Sequence, residues 1–248
     1  MNLKVITYNI HRAIGVDRRF RPERIVEILE SYDADIIALQ EVDDGVPRSR
    51  ELNLAQELAE ALDFPYYVLG KNVSLKKGHY GNATLSRFPI VRERNIDLTI
   101  DNKKRRGCQH TTIDIPSSPS KTVHLDVFNL HLGLSAKERD KQIRKLLNSA
   151  EIRNLDDNAN KIVIGDFNDW RSLLRKPMTE GAGFKCATDR RYRNKVSALK
   201  TYPSFSPRGG LDRVFYQGSL KLENVFLCRK KLSKVASDHK PVITEFKI

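Results

Sequence analysis

Sulfur is scarce in this chain, and long apolar runs are missing. The three cysteines, Cys108, Cys186 and Cys228, are odd in number and lack CxxC spacing. That pattern argues against a disulfide framework or a thiolate zinc cluster and fits a reducing compartment. No apolar stretch is long enough to cross a bilayer. The first residues, Met1-Asn2-Leu3-Lys4-Val5-Ile6, enter a strand-like segment without an apolar h-region or a small-residue cleavage site. The expectation is a cytoplasmic protein without a transmembrane segment. No linker-like stretch marks a boundary, so residues 1–248 are read as one domain. There is also no aromatic-rich stretch suited to stacking single strands, and no hydrophobic loop suited to inserting into a membrane.

Positive charge is in excess: 44 Lys and Arg stand against 31 Asp and Glu, a net charge of +13. Such a surface attracts polyanions such as nucleic acid or acidic lipid, although a basic run is also the ordinary composition of a solvated face. The densest run is Lys103-Lys104-Arg105-Arg106, followed by Arg190, Arg191 and Arg193. Apolar residues make up 40% of the chain, enough for a substantial core.

Periodicity predicts strands at Val5–Ile10, Ile36–Leu39, Tyr66–Leu69, Asn82–Ser86, Ile113–Ile115, Thr122–Leu130, Ile162–Ile164, Leu211–Tyr216, Val225–Leu227 and Val242–Phe246. Pro22 opens a helix carrying Ile25, Ile28 and Leu29 on one face, and Glu51–Leu62 reads as a second. Ser135 with Glu138 is a capping box for a third, which carries Ile143, Leu146, Leu147 and Ala150. A weak repeat relates Tyr8-Asn9-Ile10-His11 to Phe128-Asn129-Leu130-His131. Each is followed by an amphipathic helix and then a strand ending in an acid, Glu41 or Asp166. Two such halves pack naturally as two sheets with helices outside, which brings both acids to one edge.

Polar residues cluster at strand ends: Asn9, Glu41, His131, Asp166, Asn168, Asp212, Asp238 and His239. Any one of them alone reads best as a capping or solvated loop residue. Together they read differently, because converging carboxylates repel unless a cation or a histidine compensates them. Oxygen donors without thiolates suit a hard ion, so Mg²⁺ or Mn²⁺ is expected in preference to zinc.

Seven segments carry a resemblance in order: Thr7-Tyr8-Asn9-Ile10-His11, Leu39-Gln40-Glu41-Val42, Gly81-Asn82-Ala83-Thr84-Leu85-Ser86-Arg87, Asn129-Leu130-His131-Leu132, Gly165-Asp166-Phe167-Asn168-Asp169, Leu211-Asp212-Arg213-Val214 and Ser237-Asp238-His239-Lys240-Pro241. Across nearly the whole length the chain resembles the endonuclease/exonuclease/phosphatase superfamily, the group of DNase I-like nucleases, inositol polyphosphate 5-phosphatases and neutral sphingomyelinases. It is most similar to the small bacterial metal-dependent hydrolases of that group. The resemblance implies an α/β (α+β) fold, a four-layer sandwich of two packed mixed β-sheets flanked by helices.

It also implies that Glu41 binds the catalytic metal with Asn9 and Asp238, while Asp166 orients or deprotonates the attacking water. Asn168 would bond a phosphate oxygen or the nucleophile. Asp212 would fix the imidazole of His239, which stabilises charge developing on phosphorus, and His131 would contact the phosphate or assist the leaving oxygen. Asn82 and Arg106 resemble substrate-side residues, and Thr201 is a weaker candidate of the same kind. His11 holds the place in the first half that His131 holds in the second, and a plain strand-end hydrogen bond is the preferred reading for it. These expectations describe a phosphoesterase. Substrate choice is left to the rim segments Asp43–Arg50, Lys71–Tyr80 and Lys185–Ser206: a phosphate ester that is nucleic acid, or a phospholipid or inositol phosphate, with an inactive nucleic-acid-binding module as the third possibility.

Overall fold

Alternation along the first strand separates two environments. In β1 (Asn2–Asn9) Ile6 and Tyr8 face helices, whereas Leu3 and Val5 face a second sheet. The computed structural model describes residues 1–118, 121–193 and 195–248; Asn194, part of the expected rim segment Lys185–Ser206, lies outside the described residues. Along the chain follow β2 (Ile36–Asp44), β3 (Tyr66–Ser74), β4 (His79–Ser86), β5 (Ile90–Asp97), β6 (Gly107–Ser118) and β7 (Lys121–His131). Then come β8 (Asn160–Asp166), β9 (Lys185–Cys186), β10 (Asp189–Tyr192), β11 (Lys195–Ala198), β12 (Asp212–Gln217), β13 (Lys221–Leu227) and β14 (Val242–Lys247).

One sheet has the order β13-β14-β1-β2-β4-β3 and the other β5-β6-β7-β8-β12-β9, with β10 and β11 as a separate hairpin. Each large sheet is mixed: β1 runs parallel to β2 and β7 parallel to β8, while their other neighbours are antiparallel. Helices α1 (Pro22–Glu30) and α2 (Leu54–Ala61) cover the outer face of the first sheet through Ile25, Ile28, Leu29, Leu54 and Leu58. Helix α3 (Ala136–Leu147) covers the second through Ile143 and Leu146. Between the sheets, Val5, Ile36 and Ala38 meet Ile113, Leu125, Val127, Ile162, Ile164 and Val214. This is the four-layer sandwich the sequence led us to expect.

Both expected halves are strand–helix–strand units, but the registers differ at the acids. Asn9 pairs with Gln40, so Glu41 is one residue beyond it; Asn129 pairs with Ile164, so Asp166 is two beyond. Two helix expectations need correction. The second helix starts at Leu54 rather than Glu51, because the Asn53 side chain accepts from the Gln56 N–H and Arg50 and Glu51 are left-handed. Helix α3 stops at Leu147, and Ala150 opens a separate turn. Ser135 does cap α3, accepting from the Glu138 N–H at 3.3 Å.

Gly165 explains how β8 lies so close to β7. Its φ is +135°, and an added Cβ would stand 2.0 Å from the Leu130 carbonyl oxygen. Gly165→Ala is therefore expected to lose about 3 kcal/mol or more of stability. Urea unfolding checks this, and an unchanged midpoint would contradict so tight an approach.

Candidate active site

The same alternation that buries Val5, Val127, Ile162 and Val214 between the sheets continues into polar residues at one end. Inward positions there are Asn9 on β1, Asn129 and His131 on β7, Asp166 on β8 and Asp212 on β12. Just below, amides zip the two sheets together. Gln40 Nε2 donates to Asn129 Oδ1 at 2.8 Å, and Asn129 Nδ2 donates to the carbonyls of Ala83 at 2.9 Å and Leu39 at 3.1 Å. Asn82 Nδ2 donates to the Gly107 and Asn129 carbonyls, both at 3.2 Å. Buried amides with their bonds made hold one relative placement of the sheets.

Asp166 is the centre. It pairs across the ladder with Asp212 on one side and His131 on the other. Its Oδ1 accepts from the Asn168 N–H at 2.8 Å and its Oδ2 from Asn9 Nδ2 at 3.0 Å. Nε2 of His131 and of His239 stand 3.5 and 3.7 Å from Oδ2. His239 Nδ1 is 2.8 Å from Asp212 Oδ2, which leaves Nε2 toward the cleft. The described residues thus bring ligand atoms of Asp166, Asp212 and His239 within 4.8 Å of one another.

Electrostatics give these groups different protonation. Burial raises the Asp166 carboxyl, partly opposed by His239 and reinforced by Asp212, to a pKa of about 6. Burial alone would depress His239, but Asp212, Asp166 and Asp238 outweigh it and hold the imidazolium to about 10. His131 is pushed well below the ordinary imidazole value by burial and then by Arg106, His239 and Lys104. At neutral pH the site therefore holds a charged His239 and a neutral His131.

These shifts carry a signed prediction for the metal-free protein. His239 has its folded pKa raised, so its contribution to stability is fully present below about 6.5 and is lost as pH rises toward 10. Urea unfolding in chelator should show wild type losing stability between pH 6.5 and 9.5 more steeply than His239→Gln. Parallel slopes would contradict the charged imidazole.

Glu41 enters from the first sheet. A bulge between Gln40 and Val42 gives it a φ of +60° and breaks the strand's alternation there. Its Oε2 lies 3.6 Å from Arg12 Nε. Beside it the Tyr80 hydroxyl is raised by burial and by Glu41, with Arg106 and Arg12 opposing. Arg106 is buried with an unpartnered Nε, and Lys104 lies over the Tyr80 ring at 5.2 Å. Asn9 and His239 share a tie through Ser237, whose Oγ donates to the Asn9 carbonyl at 2.7 Å and accepts from the His239 N–H at 3.2 Å. Asn168 Nδ2 donates to the Leu132 carbonyl at 3.0 Å, fastening its loop to the end of β7.

Some expectations are redirected. The Thr201 hydroxyl is fully buried and accepts from the N–H groups of Leu211 and Asp212, both at 3.3 Å, so it holds the Asp212 backbone rather than facing a substrate. His11 contacts the Ile14 carbonyl at 2.9 Å and the Arg12 side chain, in keeping with the plain hydrogen-bond reading. In the rim segment Asp43–Arg50, Asp43 is fully buried and accepts two bonds from Arg48, which ties that loop to itself. Sequence reasoning passed over Asn129, Ser237 and Arg12, and it reached Tyr80 and Tyr202 only as members of the rim segments; the Tyr202 ring packs 5.0 Å from that of His239. Asn129 and Ser237 stood inside quoted motifs, so the signal for them was already present.

A profile described as the Endonuclease/Exonuclease/phosphatase family matches residues 6–239. The uncharacterized protein YbhP of Escherichia coli strain K12 is 31% identical over 255 residues, spanning 98% of this chain and 96% of YbhP. A solved endonuclease/exonuclease/phosphatase from Beutenbergia cavernae DSM 12333 has a TM-score of 0.79 at 20% identity, covering 100% of this chain and 72% of that one. A mannosyl-6-phosphatase from Bacteroides thetaiotaomicron VPI-5482 has a TM-score of 0.73 at 19% identity, covering 99% of this chain and 100% of that one. The two structures share the fold. The profile match spans nearly the whole sequence, and the chain therefore belongs to the Endonuclease/Exonuclease/phosphatase family.

Proposed function

We propose that this protein is a divalent-metal-dependent phosphoesterase that cleaves its substrate by water attack, with a nucleic-acid phosphodiester favoured. The observation that carries the reading is the convergence on one Asp166 carboxylate of Asn9, Asn168, His131 and the Asp212–His239 pair. Phosphoryl transfer needs charge neutralisation and positioning more than a covalent nucleophile, and this arrangement supplies both.

An acid poised near pH 6 is ionised at neutral pH and still basic enough to take a proton from water, which suits Asp166 as the general base. The His239 imidazolium, its Nδ1 held by Asp212, presents Nε2 to a phosphoryl oxygen as charge develops there. Neutral His131 donates a hydrogen bond to the phosphate or the leaving oxygen, and Asn168 orients the nucleophile. Arg106, buried with a free Nε, is suited to a phosphate oxygen, and Asn82 stiffens the floor beneath it.

The donor set fits a hard cation at Glu41, Asn9 and Asp238. Asn9 Oδ1 gives one lone pair to the His11 N–H and keeps another, while the His239 imidazolium offsets one of the two carboxylate charges of Asp166 and Asp212. A bound Mg²⁺ or Mn²⁺ there would neutralise phosphate charge and acidify a water.

Net charge of +13 supports nucleic acid as the substrate. The likeness to a mannosyl-6-phosphatase supports a second reading, a small phosphate ester. The test is hydrolysis of plasmid DNA, RNA, a phosphodiester reporter, sugar phosphates and phospholipid vesicles with Mg²⁺, Mn²⁺ or EDTA. Metal-dependent turnover of DNA or RNA that weakens with salt is expected. Turnover of sugar phosphate alone selects the second reading, and turnover that survives EDTA overturns the metal assignment.

A further inference from the structure

Trp170 is the chain's single tryptophan and is 55% exposed, two residues beyond Asn168. Its ring meets Tyr202 edge-on at 5.4 Å, and Tyr202 in turn packs 5.0 Å from His239. The indole is not a loose side chain. Asp169 accepts from the N–H groups of Leu173 and Leu174 at 3.0 and 2.8 Å, and its carboxylate lies 3.8 Å from the buried Arg139, so the turn carrying Trp170 is pinned. Gly209, bridged to Tyr202, lies under the ring, where an added Cβ would come within 2.7 Å of it. A large apolar ring held rigid and open beside a polar cluster costs hydration without filling a core.

We propose that Trp170 is a specificity-determining platform on which a planar ring of the substrate, of nucleobase type, stacks when its phosphate sits against His239. This rests on the phosphoesterase reading and extends it from reaction to substrate class. The exposed neighbours Arg171 and Arg208 favour an anionic, ring-bearing nucleotide over an acyl chain. A rigid ring also loses little entropy on stacking, and stacking tolerates any base because every base offers a π-face.

Trp170 fluorescence reads the contact directly. In the full-length protein with Mg²⁺, adenosine 5′-monophosphate should quench the emission, while ribose 5-phosphate, with the same charge and no base, should leave it nearly unchanged. Trp170→Ala should raise KM about tenfold for the methyl phosphodiester of adenosine 5′-monophosphate relative to that of ribose 5-phosphate, with Trp170→Phe recovering most of the loss. Quenching by the nucleotide without turnover of any ester would keep the platform and remove the phosphoesterase reading. Three results overturn the proposal: no differential quenching; equal loss of kcat on both esters, which would make Trp170 only a support for Tyr202; or a blue shift on phosphatidylglycerol vesicles with no response to nucleotide.

Discussion

Asp166→Asn should hydrolyse phosphate esters about 10²–10⁴-fold more slowly than wild type. The substitution keeps the size of the side chain and removes its ability to take a proton, while Asn9, Asn168, His131 and His239 remain around it. Because the Asp166 carboxyl is raised by burial to about 6, the wild-type rate should climb as pH rises through that region, and the residual rate of the variant should not. Comparing kcat against pH for the two proteins at saturating Mg²⁺, with circular dichroism to confirm an intact fold, tests this. A loss under tenfold would move the base elsewhere, with the neutral His131 next in line.

Glu41→Gln should weaken Mg²⁺ or Mn²⁺ binding by on the order of 10²-fold, since loss of outer-shell partners alone commonly costs 10–100-fold. Calorimetric titration of the metal into wild type and variant measures this without reference to any substrate. Activity of the variant should recover in part at high metal concentration. If instead Glu41→Gln binds metal like wild type and Asp212→Asn does not, the cation belongs among Asp166, Asp212 and His239, whose ligand atoms lie within 4.8 Å of one another.

Strands were most legible in the sequence where apolar residues run nearly without interruption. Strands around Ile6, Ile37, Phe128 and Val163 are buried on both faces and stood out as apolar runs. By contrast β5, Ile-Val-Arg-Glu-Arg-Asn-Ile-Asp, is a mostly exposed edge strand whose charged face hides its period. The hairpin of β10 and β11 is largely exposed too and left no apolar signal. β6 was read only at Ile113–Ile115, although it starts at Gly107, because Gln109, His110 and Thr111 are polar yet fully buried or nearly so. There His110 Nε2 lies 2.7 Å from Asp126 and its ring stacks on Phe128, both on the neighbouring strand β7, while its buried Nδ1 has no partner among the described residues.

Within the site, residue types at strand ends were legible, but their wiring was not. Whether Asn9 reaches Asp166, 157 residues away, depends on how the two sheets face one another. Thr201 looked like a substrate contact because only the fold shows its hydroxyl beneath the Asp212 backbone. Trp170 directly follows the Gly165–Asp169 segment in the sequence, whereas its exposure and its contact with Tyr202 belong to the tertiary structure.

The proposed chemistry is water attack on phosphorus in the cleft around Asp166. Hydrolysis of the preferred phosphate ester in ¹⁸O-enriched water, with Mg²⁺ and a single turnover, tests it most directly by mass spectrometry of the products. One solvent oxygen in the phosphate-bearing product, formed by wild type and not by Asp166→Asn on the same timescale, is the result expected. Solvent oxygen in the alcohol product, or label in phosphate at equal rates from both proteins, would contradict the account.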